Sequence, residues 1–163
     1  MSLAENKPLA IGLIVVILAA AVAIGVINMQ EESHERPQLN YYYDLNTKLV
    51  FDGPHDLIPP IDAPSAKPGP DGRGAGVRAY VFSCTDCKDK STHFVGFLET
   101  YSEQAKAKMN DPNATEAETT ASIKREDDEG WAVASSPEGQ KVRTDAYKKC
   151  AANQRPQQCT PRQ

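Results

Sequence analysis

The hydrophobic residues of this chain follow two different patterns. Between Leu9 and Ile27 every position is aliphatic or glycine, and no polar side chain sets one face apart from another. About 20 apolar residues at ~1.5 Å rise match the ~30 Å hydrocarbon core of a bilayer. Residues 9–28 therefore predict a transmembrane helix, with Pro8 suited to its first turn. A secretory signal cleaved near Ala19–Ala23 is the competing reading, although the apolar run continues through Ile24, Val26 and Ile27. Residues 1–8 then form a short tail and residues 29–40 a polar spacer. Lys7 and the α-amino group place the nearest positive charge on the N-terminal side, which directs the tail inward and the following domain out of the cytoplasm.

From residue 41 to residue 163 the apolar positions come in short alternating runs, the pattern of half-buried strands. Tyr41 to Phe51 reads as a hairpin around Asn46-Thr47, its tyrosines lying on a half-buried strand rather than forming a stacking platform. Val77–Ser83 and His93–Glu99 flank a knuckle, and Ser122–Arg125 and Trp131–Ala134 flank the turn-like Asp127–Gly130. Two helices are predicted: Ser102–Met109, and one capped by Ser136 with Pro137 in its first turn, running to about Lys149 across an unfavourable Gly139. Residues 54–76 are a Pro/Gly-rich loop whose second half reads as flexible, while Ile58-Pro-Pro-Ile61 packs its isoleucines on the sheet. These elements make a small α+β domain with antiparallel hairpins.

Charge narrows the possible functions. A formal net charge of -4 excludes a general nucleic-acid binder, which needs a basic surface to neutralise phosphates. The domain is poor in large apolar groups, so a covalent or metal staple is expected to help it fold. Four cysteines are available, in the close pairs Cys84–Cys87 and Cys150–Cys159. As thiolates, Cys84, Cys87, Cys150 and Cys159 form a zinc set, with the first pair on a zinc-ribbon-like strand–knuckle–strand unit. The tail pair is more widely spaced than a usual knuckle. His93 and His34 are substitute ligands, though surface histidines explain them as well. In an oxidising space the same cysteines form two disulfides in one of three connectivities, of which cross-pairing of the knuckle to the tail stabilises by about 3–5 kcal/mol.

An enzymatic reading also exists, with Cys84-Thr-Asp-Cys87 as a thiol–disulfide oxidoreductase motif and Cys84 as attacking thiol. Such motifs sit at a helix N-terminus, which lowers the thiol pKa, whereas this one ends a strand beside Asp86 and Asp89. Covalent haem needs a histidine where Lys88 stands. No nucleophile elbow or His-Glu-x-x-His spacing occurs. The acidic run Glu126–Glu129 lacks the alternation of a calcium loop and reads as a solvated turn. Asn113-Ala-Thr115 matches a glycosylation acceptor, and Trp131, the single tryptophan, reads as a core aromatic on a hairpin.

Several strings are familiar together: Tyr42-Tyr-Asp-Leu-Asn-Thr, Ile58-Pro-Pro-Ile, Gly76-Val-Arg-Ala-Tyr-Val-Phe-Ser-Cys-Thr-Asp-Cys and Phe94-Val-Gly-Phe-Leu-Glu-Thr-Tyr, with the late Trp131 and Ser135-Ser-Pro-Glu-Gly before the spaced cysteine pair. The chain resembles short single-pass membrane proteins of planctomycete bacteria with zinc-ribbon-like cysteine pairs. The resemblance covers most of the sequence after the apolar run and implies a bacterial envelope protein without a specified activity. Lys88 departs from the glycine that usually follows a zinc knuckle.

The sequence thus predicts a single-pass protein of the cytoplasmic membrane with an extracytoplasmic domain. The four-cysteine module holds one structural zinc, with disulfides as the alternative, and no residue is assigned a catalytic role. The expected partners are the lipid bilayer and a protein in a membrane complex, with no nucleic acid.

Overall fold

A computed structural model describes residues 38–161. Seven strands form one antiparallel sheet: β1 (Leu39–Asp44), β2 (Leu49–Pro54), β3 (Gly76–Ser83), β4 (His93–Thr100), β5 (Ser122–Lys124), β6 (Ala132–Val133) and β7 (Gln157–Gln158). Their order is β2-β1-β3-β4-β5-β6, with β7 pairing on β3 beyond the end of β1. Among the described residues two α-helices accompany them, α1 (Glu103–Lys108) and α2 (Pro137–Tyr147). The described domain is therefore an antiparallel sheet with few helices, which corrects the α+β expectation.

Strand alternation sorts the core onto two faces. Tyr41, Tyr43, Val77, Ala79, Val81, Val95 and Leu98 share one face with Cys87 and Cys159. Phe82, Phe97 and Ile123 occupy the other, beneath Val142 and Ala146 of α2. Tyr42 points to this second face and stacks on Phe51. The β3–β4 ladder slips between Tyr80 and Val81, leaving Gly96 as the extra residue of a bulge. A Cβ at Gly96 would lie 2.5 Å from the Phe82 ring and 3.0 Å from the Ala146 Cβ, so only glycine lets the ring and the helix settle there.

Caps and buried polar groups fix the connections. Ser136 accepts from the Gly139 amide at the start of α2, and Ser102 accepts from Ala105 at the start of α1. Gly139 is required by packing: a Cβ would meet the Val133 carbonyl and come within 2.9 Å of Ala134. Asp44, 1% exposed, ends β1 by accepting from the Asn46 amide and from the Ser65 amide and hydroxyl. This ties the Pro/Gly-rich loop to the first hairpin. Arg78 fixes the same loop from β3 by donating to the carbonyls of His55 and Leu57, 3.9 Å from buried Glu99. Ile61 exchanges backbone hydrogen bonds with Gly76 at 2.8 Å, and Gly69 donates to Arg73, so the loop is hydrogen-bonded along both halves.

A further expectation is corrected, and one lies outside the described residues. The unit around Cys84 and Cys87 is not a zinc ribbon, because each sulfur is bonded to another sulfur. Among the described residues no helix is long and apolar enough to cross a membrane, and the transmembrane reading of residues 9–28 falls outside them.

Candidate functional site

Two places on this scaffold carry unusual chemistry, and they lie at opposite ends of β3 and β4. The first is the knuckle. Cys84 follows β3 directly, and Ser83 holds the turn by accepting from the Thr85 amide at 3.1 Å and sharing a hydrogen with Thr92 at 2.7 Å. His93 places Nε2 3.0 Å from the Cys87 carbonyl oxygen, so its ring braces the knuckle. His34 lies outside the described residues. The C-terminal tail returns to this turn as β7, with the Cys159 amide donating to Val81 O at 2.8 Å. The register brings the two cysteine pairs face to face, and they cross-pair as Cys84–Cys150 and Cys87–Cys159, with Cα separations of 5.4 and 5.3 Å.

This pairing overturns the structural zinc. Zinc binds thiolates, and a sulfur in a disulfide has no proton to lose and no such charge to offer. Among the described residues no group of three or more His, Cys, Asp or Glu is arranged to hold a metal. The zinc cofactor and the zinc-ribbon description are both withdrawn. The sequence left the choice open because thiolate ligands and half-cystines share the same spacing.

The second place is a cleft of about 370 Å³ at the far end of the sheet. Tyr43, Val77, Thr100, Asp71, Arg73, Lys124 and Trp131 are among the residues that line it. Thr100 ends β4 opposite Ser122 and shares the face of Leu98, which turns its side chain toward Val77 and Tyr43. The residue is 5% exposed, and its hydroxyl has no hydrogen-bond partner. Buried hydroxyls are normally satisfied, and an orphaned one destabilises by about 1–3 kcal/mol.

Glu126, Asp127 and Glu129 rim this cleft, so the acidic run is more than a solvated turn. Tyr43 donates to Glu126 at 2.8 Å; burial first, and then this carboxylate, raise the Tyr43 pKa so that its hydroxyl stays protonated. Asp128 is neutralised by Arg125 at 3.2 Å, and Asp71 pairs with Arg73. Arg125 also pairs with Asp145 on α2. Asp127 and Glu129 have no hydrogen bond or ion pair among the described residues. Lys124 is drawn back against the wall, its ammonium 5.2 Å from the Trp131 ring centroid and donating to Asp128 O at 2.8 Å. Trp131 is 36% exposed at this wall instead of lying in the core.

The sequence pointed to the cysteines and passed over the cleft. The available signal was Thr100, a polar residue at the position where the apolar alternation of β4 calls for another core side chain. The chain matches no family model, no curated protein and no solved structure.

Proposed function

We propose that this domain is a non-catalytic interaction module of the bacterial envelope, working in an oxidising space outside the cytoplasm, with the apolar segment Leu9–Ile27 as its route there. The observation that carries this reading is the cross-pairing of the cysteines. Disulfides persist in oxidising compartments and are rare where thiols are kept reduced. A dithiol enzyme must close a bond between the two cysteines of its own motif during turnover, but Cys84 and Cys87 are each committed to a different residue of the tail. The motif lies on a turn followed only by a short 3₁₀ segment, Lys90–Thr92, which supplies no helix N-terminus to activate a thiol.

The test is thiol counting on the full-length chain expressed with its own N-terminal segment. Cells are alkylated before lysis, with and without reductant. The expected result is no reactive thiol without reductant and four after it. Free thiols in the folded protein, or turnover in an insulin-reduction assay, would overturn the reading.

A further inference from the structure

We propose that the cleft bounded by Thr100, Trp131, Asp127 and Glu129 binds a cationic side chain, a lysine ammonium or an arginine guanidinium, carried on an extended segment of a partner polypeptide. The inference rests on the reading of the domain as an interaction module and names the chemistry of its partner.

Three observations converge on one ligand charge. Asp71 and Asp128 are paired with Arg73 and Arg125, whereas Glu126 accepts only from the neutral Tyr43 hydroxyl, which leaves Glu126, Asp127 and Glu129 in the lining without a cationic partner among the described residues. Among the same residues, Lys48 and Lys124 are the lining cations that pair with no carboxylate, so against three unpaired carboxylates the cleft keeps a small excess of negative charge. An exposed indole next to carboxylates favours organic cations through the negative face of the ring. Lys124 already holds its ammonium 5.2 Å from the centroid of that ring, so an incoming cation competes with Lys124 for it.

The third observation is the Thr100 hydroxyl. It is buried and unpartnered on a residue that lines the cleft, and a donor N–H that displaces its cover would restore the missing hydrogen bond. A metal cation is excluded because the carboxylates are not grouped to coordinate one. A cleft of about 370 Å³ takes a long side chain and not a folded surface, so the occupant is one residue of an extended strand laid across the mouth.

Because Trp131 is the only tryptophan in the chain, intrinsic fluorescence reports on this wall alone. The oxidised full-length protein is titrated with the peptide Ac-Gly-Ser-Lys-Ser-Gly-NH2 and with its arginine, norleucine and glutamate counterparts. N-acetylglucosamine trimer serves as a neutral polyol. The expected result is a saturable change with the lysine or arginine peptide, bound about tenfold tighter than the norleucine peptide and weakened by salt. Which of the two cationic peptides binds tighter identifies the side chain. The double variant Asp127→Asn/Glu129→Gln should abolish that discrimination. Thr100→Val should weaken the cationic peptide about three- to tenfold, and Thr100→Ser should restore it.

Near-UV circular dichroism and a count of four half-cystines confirm the fold of each variant. Equal binding of all peptides, binding of the saccharide alone, or variants that bind like the parent would overturn the proposal. Such a failure leaves the disulfide count and the absence of exchange activity standing. Turnover of insulin disulfides would instead overturn the module reading, whatever the peptides do.

Discussion

Removing the disulfides one at a time and together tests how the tail stabilises the sheet. Cys87–Cys159 closes a loop across 72 residues, and in the chain-entropy account such a bridge contributes about 4.4 kcal/mol. Cys84–Cys150 spans 66 residues, but with the first bridge closed it is not an independent long loop. Its ring then runs only along Cys84–Cys87, across the existing bridge and back along Cys159–Cys150, a circuit of about 12 residues contributing ~3 kcal/mol. Either bridge can be treated as the first, so replacing one pair by alanine should cost about 3 kcal/mol and replacing both about 7 kcal/mol. The double loss exceeds the sum of the single losses by about 1.5 kcal/mol. Packing losses at buried Cys87 and Cys159 enter both legs of the cycle and cancel in that difference. Urea unfolding followed by Trp131 fluorescence measures all four proteins, with a stabilising osmolyte added at fixed concentration if the double variant is unfolded in buffer. A double loss equal to or smaller than the sum of the single losses refutes the ladder argument.

Three other substitutions probe the scaffold. Burial pushes the Asp44 carboxyl up, but its hydrogen bonds from Asn46 and Ser65 outweigh this and leave its pKa below the usual 3.8, so its stabilisation is present above that value and is lost as pH falls from there through the lowered pKa. Asp44→Asn should lower stability at pH 7 by about 1–3 kcal/mol and flatten the loss between pH 5 and pH 3, read from urea midpoints. Burial, reinforced by Glu99, pushes Tyr80 up to about 12, so the stability it confers is complete below its ordinary 10.0 and is lost as pH rises toward about 12. Tyr80→Phe should remove part of the alkaline destabilisation seen in fluorescence between pH 9 and pH 12. Gly139→Ala raises helix propensity by about 1 kcal/mol, yet its Cβ collides with the β6 turn, and a net loss of roughly 2 kcal/mol is expected in thermal unfolding.

The strands were the legible part of this chain because their signal is local. Val77–Ser83 and His93–Glu99 alternate in the sequence, and β3 and β4 occupy those positions. The cap at Ser136 was equally readable, since a serine before proline stabilises the first turn wherever the helix later packs. Gly139 was misleading: propensity marks it as a weakness, whereas the approach of Val133 makes it a requirement. The bulge at Gly96 and the return of the tail as β7 depend on contacts between residues far apart in sequence, which periodicity does not encode. The cysteines were located but their chemistry was not, because the choice depends on which sulfur meets which. The cleft was invisible for a related reason. Its members come from the start of β3, the end of β4 and the turn after β5, and only the strand order makes them neighbours.

The two special places on this sheet should respond separately to reductant. β3 leaves the cleft at Gly76 and reaches the knuckle at Ser83, eight residues that span roughly 23 Å at ~3.3 Å each. β4 returns over the same distance from His93 to Thr100. Cys87 and Cys159 are 6% and 3% exposed, while Cys84 and Cys150 are only partly covered. Attack by an external thiolate requires access to sulfur, so a limiting reductant should open Cys84–Cys150 first. Lys148 and Lys149 beside Cys150 favour the thiolate that is released. The surviving Cys87–Cys159 bridge still closes the long loop and limits the loss to about 3 kcal/mol, too little to unfold a domain of ordinary stability. Trapping with a heavy maleimide and mapping the labelled peptides should therefore find Cys84 and Cys150 modified. The Trp131 response to the cationic peptide should stay within about twofold of the oxidised protein, because the strands between the two ends remain paired. Labelling of Cys87 and Cys159 first would show that access does not set the order, and loss of the peptide response on opening the outer bridge would show that the knuckle and the cleft are coupled through the sheet.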